Sequence, residues 1–292
     1  MRNTFIKTLV ELAEKNKDVY LLTGDLGFPN FFDFAQKFPN RFINCGVAEQ
    51  NMVGLAAGLA LEGKKPYVYS IAPFLSARCV EQIKNDVCYQ NLNVKLIGAG
   101  EGFSYGELGA SHYATEDVGI LRSLPNIIIL SPADPWQLEQ LLLKSYQIEK
   151  PFYIRIARSK EKNITETGKK PEVEISKPLV LKDGREGVII STGTLVGKLM
   201  DARDYKLIEI HTLKPIDRQA LLKEIESFSK IITVEEHNIV GGLGTAVAEI
   251  LAESNWRGEF KRIGVPDKFP REVGSRDYLL EKELSFQFKE LS

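Results

Sequence analysis

Residues 2–25, RNTFIKTLVELAEKNKDVYLLTGD, decide the fold. Phe5, Leu9, Leu12 and Ala13 recur at the spacing of one helical face. Val19-Tyr20-Leu21-Leu22-Thr23 then form a short apolar run that Gly24-Asp25 stops. A helix followed by a strand that is apolar throughout predicts a strand buried inside a layered α/β domain. The unit repeats. Apolar runs of strand length stand at 66–71, 94–99, 127–130 and 152–156, with helical stretches at 48–61, 76–89, 115–123 and 135–147 between them. Strands alternating with helices predict a mostly parallel sheet covered on both faces.

Composition changes after Ser159. Through Lys177 the chain is rich in Lys and Glu, carries Gly168 and Pro171, and keeps no period, so residues 161–177 read as a linker. Alternation resumes at 187–191, 206–210 and 231–235, with helices near 217–226 and 244–252. The 292 residues are therefore expected to form two α/β domains with mostly parallel sheets, over 1–160 and 178–292.

Bulk properties exclude several classes. Thirty-eight Lys+Arg against 39 Asp+Glu leave a net charge of −1, which disfavours nucleic acid or an anionic membrane as the main partner. No apolar run has the length of a membrane span. The start is too soon interrupted by Glu11 and Glu14 to be a signal peptide. Cys45, Cys79 and Cys88 have no metal-type spacing and read as reduced thiols of a cytoplasmic protein. Three histidines make a His-rich metal site unexpected, and no metal ligands are expected on this chain.

The densest segment runs from Gly46 to Ala60. Its helix carries Gly54 and Gly58 four apart, and Ala56 and Ala60 likewise. Each glycine costs about 1 kcal/mol in a helix relative to alanine, so close packing against another helix is the simplest cause. Glu49, at the helix start, is by itself explained as an acid favoured by the helix dipole.

These residues resemble the pyrimidine-binding domain of transketolases and 1-deoxyxylulose-5-phosphate synthases. The resemblance rests on RFINCGVAEQNMVGLAAGLALEGKKPYVYS (41–70) and GASHYATEDVGILRSLPNIIILSPADPWQLEQLL (109–142). It continues into a transketolase-type C-terminal domain through VEEHNIVGGLGTAVAEILAE (234–253) and IGVPDKFPREVGSRDYLL (263–280). It implies thiamine diphosphate and Mg²⁺ as cofactors. The glutamate of the matching segment, Glu49, would hydrogen-bond the aminopyrimidine N1′ and so promote loss of the thiazolium C2 proton. A carboxyl desolvated where two subunits meet is expected to have the raised pKa this needs.

Further assignments follow from the resemblance, residue by residue. Ile71, Phe74 and Arg78 fall where the family surrounds the pyrimidine ring, and an aromatic face suits a flat heterocycle; plain core packing is the alternative for Phe74. His112, in GASHYATED, matches the histidine of the DG-x-THQ loop, which faces substrate, and an imidazole there suits proton transfer. Asp25 matches a segment near the cofactor, or serves only as a turn residue. Of Arg155 and Arg158, Arg158 better matches the arginine that takes a substrate phosphate; a surface ion pair is the alternative. Two departures stand out. Leu108 replaces the usual aspartate of the histidine loop, and Gly98-Ala99-Gly100 lacks the histidine that transketolases carry upstream.

Two glycine motifs are set aside. Gly24-Asp25-Leu26 with Asn51 imitates the GDG…N motif for Mg²⁺ and diphosphate but lacks its third glycine. Gly241-Gly242-Leu243-Gly244 imitates a phosphate loop without the following Lys-Ser/Thr, and is read as a turn that lets its helix pack closely on the sheet. With no segment suited to diphosphate and no room before Met1, the resemblance implies a split enzyme. This chain would be its C-terminal subunit, moving a two-carbon ketol unit between sugars or sugar phosphates. A separate N-terminal subunit would hold diphosphate and Mg²⁺, and a homodimer of this chain would give an α2β2 heterotetramer. The beta subunit of a 2-oxoacid dehydrogenase E1 and a non-catalytic scaffold are the alternatives.

Overall fold

The computed structural model describes residues 1–27, 29–158, 164, 171–202 and 204–288, the last four without their side chains. Twelve strands are named here in chain order. They are β1 Val19–Thr23, β2 Phe42–Asn44, β3 Lys65–Ile71, β4 Lys95–Ala99, β5 Ile128–Leu130, β6 Phe152–Ile156, β7 Leu179–Lys182, β8 Gly187–Ser191, β9 Tyr205–Glu209, β10 Thr212–Lys214, β11 Lys230–Asn238 and β12 Glu259–Val265.

The first sheet has the order β10-β5-β6-β4-β3-β1-β2, parallel except for β10. Alternate side chains feed two apolar layers, as the two-residue period of a strand requires. Leu22, Val68, Leu96 and Ile129 enter one layer, and Leu21, Tyr67, Ile97 and Leu130 the other. Helix Arg2–Lys15 turns Phe5, Leu9, Leu12 and Ala13 into the second layer beside Leu138 and Leu141 of helix Pro135–Tyr146. Asp134 caps that helix by accepting from the Gln137 N–H, and Pro135 opens it.

The second sheet has the order β12-β11-β8-β9-β7, parallel except for β7. The mostly parallel α/β architecture stands in both sheets. The two are joined more tightly than separate domains would be. Strand β10 leaves the second domain and extends the first sheet at β5. Val188, Ile190 and Ile208 share one apolar cluster with Val68 and Leu96. Most of the linker over 161–177 lies outside the described residues. In its described part Val173 is buried in the first domain's core.

Three local readings are refined. The helix expected over 76–89 is broken into Ala72–Ser76, Val80–Gln82 and a π-helical turn Ile83–Cys88. The break at Ala77–Cys79 sets Arg78 beside the strand ends. The face with Gly54 and Gly58 meets nothing among the described residues, since a Cβ at either would find no atom within 4 Å; Leu55 and Leu61 beside it are exposed. The motif Gly241–Gly244 holds a carboxyl group of the chain itself. Glu235 accepts from the Leu243 and Gly244 N–H groups at 2.7 and 2.8 Å, at the N-terminus of helix Leu243–Ala252. A Cβ at Gly242 would collide with that carboxylate.

A buried carboxyl also joins the domains. Glu209, at the end of β9, accepts from Gln137 Nε2 at 2.8 Å. Burial pushes its pKa up to about 8, against the pull of the Gln137 bond, and burial pushes Glu235 up to about 7. A carboxyl raised above its unfolded value of about 4.3 contributes stability that is complete below that value and lost as pH rises through the folded one. The melting temperature is therefore expected to fall between about pH 5 and pH 8. Glu209→Gln, which keeps an acceptor for Gln137, should flatten that fall. Equal slopes for both proteins would contradict the assignment.

Candidate active site

Ligands of parallel α/β sheets lie at the carboxyl ends of the strands. There, β1, β2 and β3 bring together the surroundings of Glu49. Strand β2 and a short turn deliver Glu49 as the first residue of helix Glu49–Leu61. Its side chain is 1% exposed. Ser70 Oγ, from β3, donates to Oε1 at 3.2 Å, and Arg78 Nη1 donates to Oε2 at 2.6 Å. A Cβ at Gly24, after β1, would sit 3.4 Å from Oε1. A charge this deeply buried needs such partners, because an unpaired one costs several kcal/mol.

Aromatic rings and cations alternate outward from this pair. The Arg78 guanidinium lies 4.3 Å over the Phe74 ring, within cation–π range. Phe74 meets the His112 ring edge-on at 4.9 Å, and Tyr105 lies 6.1 Å beyond His112. Arg158 stacks 4.8 Å over Tyr105. Ser111 Oγ and His112 Nδ1 are 3.0 Å apart. Burial, followed by the Arg78 charge, lowers the pKa of His112 below its ordinary 6.5, so the ring is neutral at pH 7. A neutral imidazole both donates and accepts a proton.

Glu49, Phe74, Arg78, His112 and Arg158 thus share one edge of the sheet, and Ile71 caps the short helix that carries Phe74. Asp25 has the partners of a turn residue: it accepts from Asn44 Nδ2 at 2.9 Å, its N–H donates to Asn44 Oδ1, and its φ is 55°. Arg155 does not reach the edge. It is 2% exposed and its Nε donates to Asp117 at 2.9 Å, which leaves Arg158 as the accessible arginine. Leu108 is 52% exposed at the rim. A Cβ at Gly100 would collide with the Tyr105 ring, so Tyr105 fills the space beside the segment that lacks the histidine.

Sequence reasoning missed Ser70 and Tyr105. A lone polar residue ending the apolar run 66–71 was the available signal for Ser70. Nothing local marked Tyr105. The Arg78 guanidinium fills the space between Phe74 and Glu49 as a planar hydrogen-bond donor. Among the described residues no group of three or more His, Cys, Asp or Glu could hold a metal ion, and no helix is long and apolar enough to cross a membrane.

Known proteins match the chain over both of its domains. Residues 1–162 match the transketolase pyrimidine-binding domain, and residues 176–287 the transketolase C-terminal domain. A putative transketolase C-terminal section of Methanocaldococcus jannaschii is 38% identical over 290 residues, covering 96% of this chain and 90% of the relative. One of the subunits of the apulose-4-phosphate transketolase of Phocaeicola vulgatus is 37% identical, covering 91% and 88%. A solved structure described as a split gene transketolase, inactive beta4 tetramer, superposes with a TM-score of 0.85 at 36% identity, covering 97% of this chain and 92% of that one.

Burial lowers His211 and His237 to about 4, so His112 should be the first of the three histidines to protonate as pH falls, at a pH below 6.5. Arg78→Gln removes a nearby positive charge and should move the His112 titration up. NMR of the imidazole protons measures both, and a His112 pKa above 6.5 in the unaltered chain would contradict the arrangement.

Proposed function

Because this chain belongs to the transketolase family, we propose that it is the C-terminal subunit of a split, thiamine diphosphate-dependent transketolase that moves a two-carbon ketol unit between sugar or sugar-phosphate substrates. The observation that carries the reading is the meeting of Glu49, Phe74 and His112 at one edge of the parallel sheet. The cofactor supplies the electron sink for cleavage of the donor's carbon–carbon bond.

The chain's own residues supply the rest. Glu49 shares a proton with the pyrimidine N1′, held in place by Ser70. Phe74 offers its ring face, and Ile71 stands beside it. His112 exchanges a proton with substrate oxygens, which its neutral state at pH 7 permits. Arg158, exposed beyond Tyr105, takes an anionic substrate group in a bidentate fork. Leu108 offers that substrate no hydrogen bond where an aspartate would.

A separate N-terminal subunit holds the diphosphate and Mg²⁺. The one phosphate-loop-like motif of this chain is filled by Glu235, which supports that division of labour. The exposed Gly54/Gly58 face suits a second copy of this chain, giving an α2β2 assembly. The subunit-type relatives and the inactive tetramer fit a chain that works only with a partner. The His112 loop and the C-terminal domain match favour transketolase over the beta chain of a 2-oxoacid dehydrogenase E1.

Arg78 has a consequence for binding. It occupies both Glu49 Oε2 and the face of Phe74, so it must withdraw when the pyrimidine enters. Arg78→Gln should therefore leave cofactor affinity of the assembled complex equal or tighter by calorimetry. A loss of tenfold or more would make Arg78 a direct cofactor ligand instead. The central test concerns Glu49. Glu49→Gln is nearly isosteric and should slow hydrogen–deuterium exchange at cofactor C2 in the reconstituted complex by at least about 10², the scale of general acid–base catalysis. Its melting temperature should change little. Exchange within a few-fold of the unaltered complex would remove Glu49 from the chemistry and favour a non-catalytic role for the chain.

A further inference from the structure

We propose that the C-terminal domain takes part in the reaction by shaping the His112 loop, with Glu236 and Tyr113 as positioning residues. The inference rests on the reading that His112 faces substrate.

The loop from Glu101 to Glu116 has two faces. One carries His112 toward Phe74 and Tyr105. The other is built into the second domain. Phe103 and Tyr113 stack edge-on at 5.1 Å within the apolar cluster of Ile189, Ile232, Leu279 and Leu284. Tyr113, the residue after His112, donates its hydroxyl to the Glu272 carbonyl at 2.6 Å and approaches the Gly106 carbonyl at 3.1 Å. Asn238 N–H donates to the Thr115 carbonyl at 2.7 Å, and Gly274 N–H to the Gly106 carbonyl at 3.2 Å.

A charged clamp fixes the base of the loop. Glu236, at the end of β11, accepts the Phe103 N–H at 2.7 Å. A Cβ at Gly102 would collide with its side chain, so only glycine admits the approach. Arg276 holds Glu236 through Nε at 3.0 Å and Nη2 at 2.5 Å, and also donates to Thr194 Oγ1 at 2.6 Å. Thr194 in turn donates from its N–H to Glu101 at 3.0 Å, closing a ring across the domains. Hydrogen bonds to ionised groups are the strong ones, about twice a neutral pair.

These contacts concentrate on the one loop that bears the substrate-facing histidine. They determine where the imidazole stands relative to Phe74. A displacement of about 1 Å at a reacting group costs on the order of 10²-fold in rate. A domain that, among the described residues, contributes no side chain to the ring cluster therefore acts on it through the backbone of residues 101–116.

The test is a double-mutant cycle in the reconstituted complex, with hydroxypyruvate as the ketol donor. Tyr113→Phe removes the hydroxyl bonds and leaves the charged clamp intact; Glu236→Gln keeps an acceptor for Phe103 and weakens the hold of Arg276. Each should lower kcat/KM on the order of 10–100-fold and leave hydrogen–deuterium exchange at cofactor C2 unchanged. Each should cause no further loss in a His112→Asn background, since coupled residues are not additive. In the full chain alone, each should raise the NMR-determined His112 pKa toward 6.5 as the loop loosens toward water. Equal losses with and without His112, or unchanged kcat/KM and an unmoved His112 titration, would overturn the inference. If His112→Asn itself leaves turnover intact, the substrate-facing reading falls instead, and the NMR arm alone decides whether Glu236 and Tyr113 hold the loop.

Discussion

A carboxylate buried to 1% exposure at the end of three parallel strands must have partners, and the candidate site is organised around supplying them to Glu49. The helix breaks at Ala77–Cys79, which brings Arg78 to Oε2, and Ser70 interrupts an apolar strand to reach Oε1. Only the Glu49 end of this pair is buried; the Arg78 side chain is 42% exposed, so the guanidinium can move away where another partner takes its place. The Arg78 guanidinium, a planar donor, bonds Glu49 and lies over the Phe74 ring at once.

The second domain is not an appendage to this site. Its strand β10 completes the first sheet, its apolar residues share a cluster with Val68 and Leu96, and Gln137 and Glu209 bond across the boundary. The loop with His112 lies where the two units meet. The first domain supplies Phe74 and Glu49, and the second supplies the surface on which the loop is folded. The position of His112 is thus coupled to the packing of both domains, whereas the partners of Glu49 are local to the strand ends.

Sequence made the interior strands legible because burial on both faces writes a continuous apolar run, as at Val19–Thr23 and Phe152–Ile156. It did not reveal β2, β7, β10 or β12. Strands β2 and β10 are three residues long, and β12 opens on the polar stretch Glu259–Arg262 because it lies at a sheet edge. Glu49, Phe74 and His112 carry a motif signal, and in the structure Arg78 links Glu49 to the Phe74–His112 ring pair. Arg78 was assigned to the cofactor without the ion pair it makes. Glu236 carried no signal at all, since its role depends on residues 103 and 276, and only the fold makes them neighbours.

The cofactor is expected to replace Arg78 at Glu49, in an assembly with a separate chain that binds the diphosphate. A high-resolution structure of the reconstituted complex with thiamine diphosphate tests this most directly. It should show a pyrimidine nitrogen within hydrogen-bond distance of a Glu49 oxygen, the ring against Phe74, Arg78 swung away, and diphosphate and Mg²⁺ held by the partner chain. A bound cofactor with the 2.6 Å Arg78–Glu49 pair still intact would contradict it.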